Sequence, residues 1–148
     1  MKKKISLPPN YFYFSIMLII PFRYLIPGLN LIPILWNLSG LLVMAVGLYL
    51  IWKPYKQFMD HNTPENFGTS TCIVSDGLYR YSRNPMYVGG VIFLVGLAVL
   101  LQNVAGFISA IFFFLVMHYM FIPYEEEKMV RECGNEYSEY MKTVRRWI

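Results

Sequence analysis

Three stretches of the chain carry no charged side chain: 18 residues between Lys4 and Arg23, 29 between Arg23 and Lys53, and 41 between Arg83 and Glu125. A helix rises about 1.5 Å per residue and the hydrocarbon core of a bilayer is about 30 Å thick. The longest stretch therefore allows two crossings joined by a tight turn, which Gln102 and Asn103 mark near its middle. Each of the first two allows one crossing, with Pro27, Gly28, Asn30 and Pro33 marking the turn between them. The pattern predicts an all-α, integral membrane bundle of four transmembrane helices near 10–27, 32–53, 85–102 and 104–123. The segments 54–84 and 124–148 are polar. Met129, Cys133, Tyr137 and Tyr140 recur in the latter at the spacing of one helical face, so a C-terminal amphipathic helix is expected there, with Gly134 as a candidate break. The whole chain, 1–148, reads as one domain.

Composition agrees with that reading. The chain is 56% hydrophobic and 15% charged, with a mean hydropathy of +0.41. A soluble domain carries about 25% charged residues, so disorder and an ordinary soluble enzyme are both excluded. Two cysteines, Cys72 and Cys133, are too few for a disulfide scaffold and lack metal-ligand spacing. They read as small apolar residues rather than a metal or redox pair.

The charges set an orientation. All but one of the 13 basic residues and all nine acids fall before the first span, between the second and third, or after the fourth. With four spans, these segments share one side, and the positive-inside rule makes it cytoplasmic. Both termini are then cytoplasmic, in the plasma (inner) membrane if the source is bacterial. MKKK ahead of an apolar run resembles a secretory signal, but no A-x-A-like site follows, and a retained helix is expected. The exception among the basic residues is Arg23, which reads as snorkelling to the headgroups or, alternatively, as contacting substrate. Anionic lipid on the cytoplasmic face explains the net charge of +4 without nucleic acid.

The chemistry lies in the polar segments. Ser75, Asp76 and Gly77 form a turn signal, Tyr79, Arg80, Tyr81 and Arg83 follow, and Asn84-Pro85 suits an N-cap with proline at the first helical position. This is either an interfacial helix start with Tyr and Arg anchors or an anion-binding helix terminus beside Arg83. Gly89 and Gly90 admit either a neighbouring helix or a flat ligand. Glu125, Glu126 and Glu127 adjoin the end of the fourth span, either solvated on a surface helix or paired. Because a helical hairpin returns its ends to one place, Arg83, Asn84 and Tyr87 are expected beside Glu125 and Glu126, a candidate active site.

These residues carry a resemblance. Gly77, Tyr79, Arg83-Asn84-Pro85, Tyr87 and Gly89 follow a G-x-Y-x-x-x-R-H-P-x-Y-x-G pattern, and Glu125-Glu126, Met129, Cys133-Gly134, Tyr137 and Tyr140 follow E-E-x-x-L-x-x-x-F-G-x-x-Y-x-x-Y. Both resemble the isoprenylcysteine carboxyl methyltransferases and the related phospholipid methyltransferases. The likeness covers roughly 71–148, and Val144 and Arg146 suit the end of that pattern. Three positions depart from it: Asn84 for His, Met129 for Leu and Cys133 for Phe. Asn84 still donates a hydrogen bond but does not titrate near pH 7.

The resemblance implies a membrane methyltransferase using S-adenosylmethionine, with S-adenosylhomocysteine as product, acting on a lipophilic acceptor such as an isoprenylcysteine-type carboxylate or a lipid amine. It implies Glu125 and Arg83 as catalytic residues. It implies Thr71, Cys72, Ile73, Val74, Tyr79, Asn84, Pro85, Met86, Tyr87, Gly89 and Glu126 as cofactor-binding, with no metal. Arg83 and the helix start at Pro85 would hold the cofactor carboxylate, and Glu125 would serve as base for an amine acceptor. Two other readings remain: a nicotinamide-dependent reductase of sterol-reductase type, and a small four-helix transporter, which the absence of Asp or Glu inside any span disfavours. His118 reads as a hydrogen-bonded packing residue, His61 as solvated, and Gly40 and Gly47 as helix-packing positions.

Overall fold

The computed structural model describes residues 8–25, 34–61 and 73–148. Their regular structure is all helical, with no strand among the described residues: α1 is Pro8–Leu25, α2 the single turn Ile34–Asn37, α3 Ser39–His61, α4 Pro85–Leu100, α5 Val104–Val116, α6 Ile122–Cys133 and α7 Asn135–Thr143. A 3₁₀ turn, Gly77–Arg80, precedes α4. A π-helical stretch, Met117–Phe121, joins α5 to α6, so that Gly106–Cys133 is one 28-residue helix. It is long and apolar enough to cross a membrane. Pro123 lies two residues beyond the end of that stretch. Proline supplies no N–H and its ring crowds the carbonyl four residues back, and the wider π turn relieves both.

Two expectations change. The second predicted span, 32–53, continues as helix through Pro54 to His61 instead of ending at the polar boundary. The fourth, 104–123, runs on to Cys133, and the tail helix is broken at Gly134, whose φ of 56° and ψ of −126° suit glycine alone. The turn at Gln102 and Asn103 stands as expected, with Gln102 left-handed at φ 56°. The turn expected around Pro27 to Pro33 lies outside the described residues, as does the structure of Thr71 and Cys72. Cys133 is disulfide-bonded, which corrects its reading as a small apolar residue outside any redox pair.

Packing follows from the small residues. α4 lies between α3 and α5, and α1 packs on α5. Gly40 and Gly47 of α3 face Gly96 and Gly89 of α4 in antiparallel order. A Cβ on Gly40 would sit 2.5 Å from the Gly96 carbonyl oxygen, and one on Gly47 would sit 2.6 Å from the Phe93 nitrogen. Backbone therefore touches backbone along two glycine pairs spaced seven residues apart on each helix. On the other side of α4, Ile19, Leu94, Ala110, Phe113, Met117, Phe121 and Ile122 form the buried core. The outward faces are apolar as well: Leu42 and Met17 are each more than 70% exposed, and Ile108, Ile111 and Trp52 also face outward. Helices apolar on all sides are found where lipid replaces water.

Candidate active site

The 3₁₀ turn, the start of α4, the middle of α6 and α7 meet at one end of the bundle. They enclose a cavity of about 410 Å³, lined by Ile73, Val74, Tyr79, Arg83, Asn84, Pro85, Met86, Tyr87, Glu125 and Glu126. That volume falls in the range of small-molecule pockets. Of the residues expected to bind, these ten border the cavity. Gly89 does not: it packs on Gly47 and Ile51 of α3. Side-chain removal at this position serves helix contact, and Gly90 likewise packs on Phe113.

Two carboxylates of one helix have different partners. The Tyr87 hydroxyl donates to both oxygens of Glu125, at 2.9 and 3.0 Å, across 38 positions of sequence. Glu126 is 8% exposed and lies between two guanidinium groups. Arg83 Nη2 is 3.1 Å from its Oε1, and Arg146 donates from Nε to Oε1 and from Nη2 to Oε2. A buried carboxylate is tolerated when paired and hydrogen-bonded in this way. The alternative of solvated glutamates on a surface helix is thus corrected for Glu125 and Glu126, whereas Glu127 is exposed and pairs with Arg131. Met129, Tyr137 and Tyr140, on the predicted apolar stripe, turn toward the cavity.

Arg83 is nine-tenths buried, and its Nε and Nη1 find no hydrogen-bond acceptor among the described residues. Buried donors of a charged group left without partners are costly. The walls around it are tyrosines. Tyr140 donates to the Tyr79 carbonyl at 2.6 Å, and Tyr79 reaches Met86 Sδ at 3.7 Å. Burial, and then the charge of Glu125, push the Tyr79 phenol up to about 12. Burial, followed by Tyr137 and Tyr79, raises Tyr140, and burial, followed by Glu126, raises Tyr137. All three therefore remain neutral donors at physiological pH.

Asn84 departs from its expected role as a cap. Pro85 occupies the first helical position, but the Asn84 side chain makes no capping bond. Its Nδ2 donates instead to the Arg146 carbonyl at 2.9 Å, because the tail of the chain passes within reach. His118 is a packing residue, as expected: Nδ1 accepts from Trp147 Nε1 at 3.0 Å, and the ring stacks on Phe114. Sequence reasoning missed Phe58 and Lys128 on the cavity wall and the Arg146 pairing with Glu126. The position of Arg146 at the end of the motif was the one available signal for it. Nothing in the local sequence marks Phe58 or Lys128.

Comparison with known proteins identifies the family. A family model described as phospholipid methyltransferase matches residues 35–136. A protein-S-isoprenylcysteine O-methyltransferase of Schizosaccharomyces pombe is 32% identical over 122 residues, 78% of this chain and 50% of that protein. Two from Arabidopsis thaliana, forms B and A, are 40% identical over 75 residues and 32% identical over 108. These cover 49% and 71% of this chain, and 36% and 51% of those proteins. The chain thus spans about half the length, or less, of the curated relatives it matches. No solved structure matches.

Proposed function

The chain belongs to the phospholipid methyltransferase family, and from that premise we propose that it is a membrane-embedded methyltransferase whose active site is the cavity between the start of α4 and α6. One observation carries the reading: two motifs some forty residues apart place Arg83, Tyr87, Glu125 and Glu126 around a single cavity. S-adenosylmethionine is the proposed methyl donor. The residues present suit it. The unpartnered Nε and Nη1 of Arg83 are charged donors that suit a carboxylate, and Tyr79 and Met86 offer an apolar wall for a purine. When bound, the donor supplies a methyl group on a positively charged sulfur.

The chain's own groups would then position and exclude. Tyr87 fixes Glu125 by donating to both of its oxygens, so the carboxylate does not rotate freely. Tyr79, Tyr137 and Tyr140 line the cavity. Holding two reactants in line supplies much of the acceleration of a displacement reaction. The proposed acceptor is the carboxylate of a lipidated cysteine, because the matched relatives are named for that chemistry. Such an acceptor needs no base, and Glu125 would orient it or the donor. A lipid amine is the second reading, favoured by the half-buried Glu125 on the cavity wall, which would take the proton the amine must lose.

Four spans, near 10–27, 32–53, 85–102 and 104–123, are proposed, with 54–84, 124–148 and both termini on the cytoplasmic side. Support comes from the charge distribution and from the apolar outer faces. The cavity then opens at the inner boundary, within reach of a cytosolic donor and a membrane-borne acceptor. The whole chain, 1–148, acts as one domain in this reading, and lipid is its expected surroundings.

The test uses purified protein in lipid nanodiscs with S-adenosylmethionine labelled on the methyl group and N-acetyl-S-farnesylcysteine or phosphatidylethanolamine as acceptor. Label is expected in the farnesylcysteine as a base-labile ester. Label in the amine lipid selects the second reading, and wild-type rates in both Glu125→Gln and Tyr87→Ala remove these residues from the site.

A further inference from the structure

The end of the chain is strapped across the start of α4. After α7, Val144 turns extended, with φ −115° and ψ 135°. The Arg83 backbone N–H then donates to the Arg145 carbonyl at 3.0 Å, and Asn84 Nδ2 donates to the Arg146 carbonyl at 2.9 Å. Trp147 anchors the far end, through its bond to His118 and a ring contact with Phe114 at 4.6 Å. Between these two anchors, Arg146 is delivered to Glu126.

That delivery divides the carboxylate. Arg146 occupies Oε2 and shares Oε1, so Arg83 holds Glu126 through Nη2 alone. An unopposed arginine and carboxylate prefer the two-pronged pairing, in which two guanidinium nitrogens face two oxygens. With Arg146 in place that pairing is blocked, and Nε and Nη1 of Arg83 are left buried and unpaired among the described residues.

We propose that Asn84 and Arg146 are positioning residues: Asn84 pins the C-terminal strap, the strap sets Arg146 on Glu126, and Arg83 is thereby kept from closing on Glu126, its two unpaired donors reserved for the carboxylate of the methyl donor. This rests on the reading of the cavity as a methyl-donor site. It also gives the departure at position 84 a role, since an amide and an imidazole N–H can both donate to a strap carbonyl.

The experiment measures binding of S-adenosylhomocysteine and of methylthioadenosine, which lacks the amino-acid carboxylate, by calorimetry on the full chain in nanodiscs, with thermal melting of the unliganded protein alongside. Asn84→Leu and Arg146→Met are each expected to weaken S-adenosylhomocysteine about tenfold and leave methylthioadenosine within twofold. The double variant should lose little more than either single one, because both release the same strap. Melting should shift little in Arg146→Met, since Arg83 can then take both Glu126 oxygens. Asn84→His keeps a donor and should bind within threefold of wild type. Equal losses for both ligands, no loss for either, or a failure of Asn84→His to hold affinity each overturn the strap while leaving the methyl-donor reading intact. Wild-type protein that binds neither ligand overturns both.

Discussion

The hydroxyl of Tyr87, one turn into α4, donates to both oxygens of Glu125 on α6 at 2.9 and 3.0 Å. The two side chains belong to different motifs, and this bond is where the motifs join. A hydrogen bond to a charged group contributes about 1.5–3 kcal/mol. Tyr87→Phe should therefore lower methyl transfer about 10- to 100-fold, with Glu125→Gln lower still. The double variant should fall no further than Glu125→Gln alone, because the two act as one unit. Initial rates with labelled donor measure this, and additive losses would mean that the residues act separately.

Arg83 should not be replaceable by lysine. Its guanidinium serves Glu126 with Nη2 while Nε and Nη1 remain unpaired, and a lysine ammonium cannot spread donors from one nitrogen over that plane. Arg83→Lys is expected to weaken S-adenosylhomocysteine binding by roughly 10-fold or more, close to the loss in Arg83→Met. Affinity within twofold of wild type in Arg83→Lys would show that charge alone suffices.

The α3–α4 contact depends on absent side chains. A Cβ on Gly47 would lie 2.6 Å from Phe93 N and 2.8 Å from the Gly89 carbonyl oxygen, both backbone atoms that move only with the helix. Gly47→Ala should destabilise the bundle by about 1–3 kcal/mol, read as a lowered midpoint in denaturant titration in mixed micelles. Gly134→Ala should destabilise by a comparable amount for a different reason. No atom lies within 4 Å of its Cβ position, yet φ is 56° with ψ −126°, a conformation alanine adopts only under strain. Unchanged midpoints in both variants would contradict these contacts.

Stability should fall in alkali through Tyr79. Its folded pKa is pushed up to about 12 from 10.0, first by burial and then by Glu125. The unfolded chain therefore releases this proton first as pH rises. The contribution of the neutral phenol is complete below pH 10 and is lost between pH 10 and about 12. The loss is on the order of 1 kcal/mol, because the ring retains some contact with water. Melting of wild type and Tyr79→Phe compared between pH 8 and 11.5 should show the smaller decline in the phenylalanine variant.

Helix positions were legible in the chain because they depend on local properties. Pro85 starts α4, and the helix ends at Leu100 just before the left-handed turn at Gln102, both within two residues of the expected boundary. The meeting of Arg83, Tyr87, Glu125 and Glu126 was legible as well, since an antiparallel hairpin has one way to return. Gly89 lies off the cavity and the Asn84 side chain caps nothing, and neither was legible, for a common reason. A glycine serves a helix contact or a ligand equally, and an asparagine caps its own helix or bonds a distant carbonyl equally. The local sequence is the same in either case.

Hydropathy and charge spacing by themselves determined an all-helical, lipid-suited chain with its reactive side chains gathered at one end, because burial of apolar surface and helix length are properties of consecutive residues. Only the tertiary structure decided which partner each charged group takes: that Arg146 stands on Glu126, that Asn84 holds the Arg146 carbonyl 62 positions away, and that Tyr140 holds the Tyr79 carbonyl. Those pairings depend on where α7 and the last residues cross α4, and a crossing is set by the packing of side chains on separate helices rather than by any run along one.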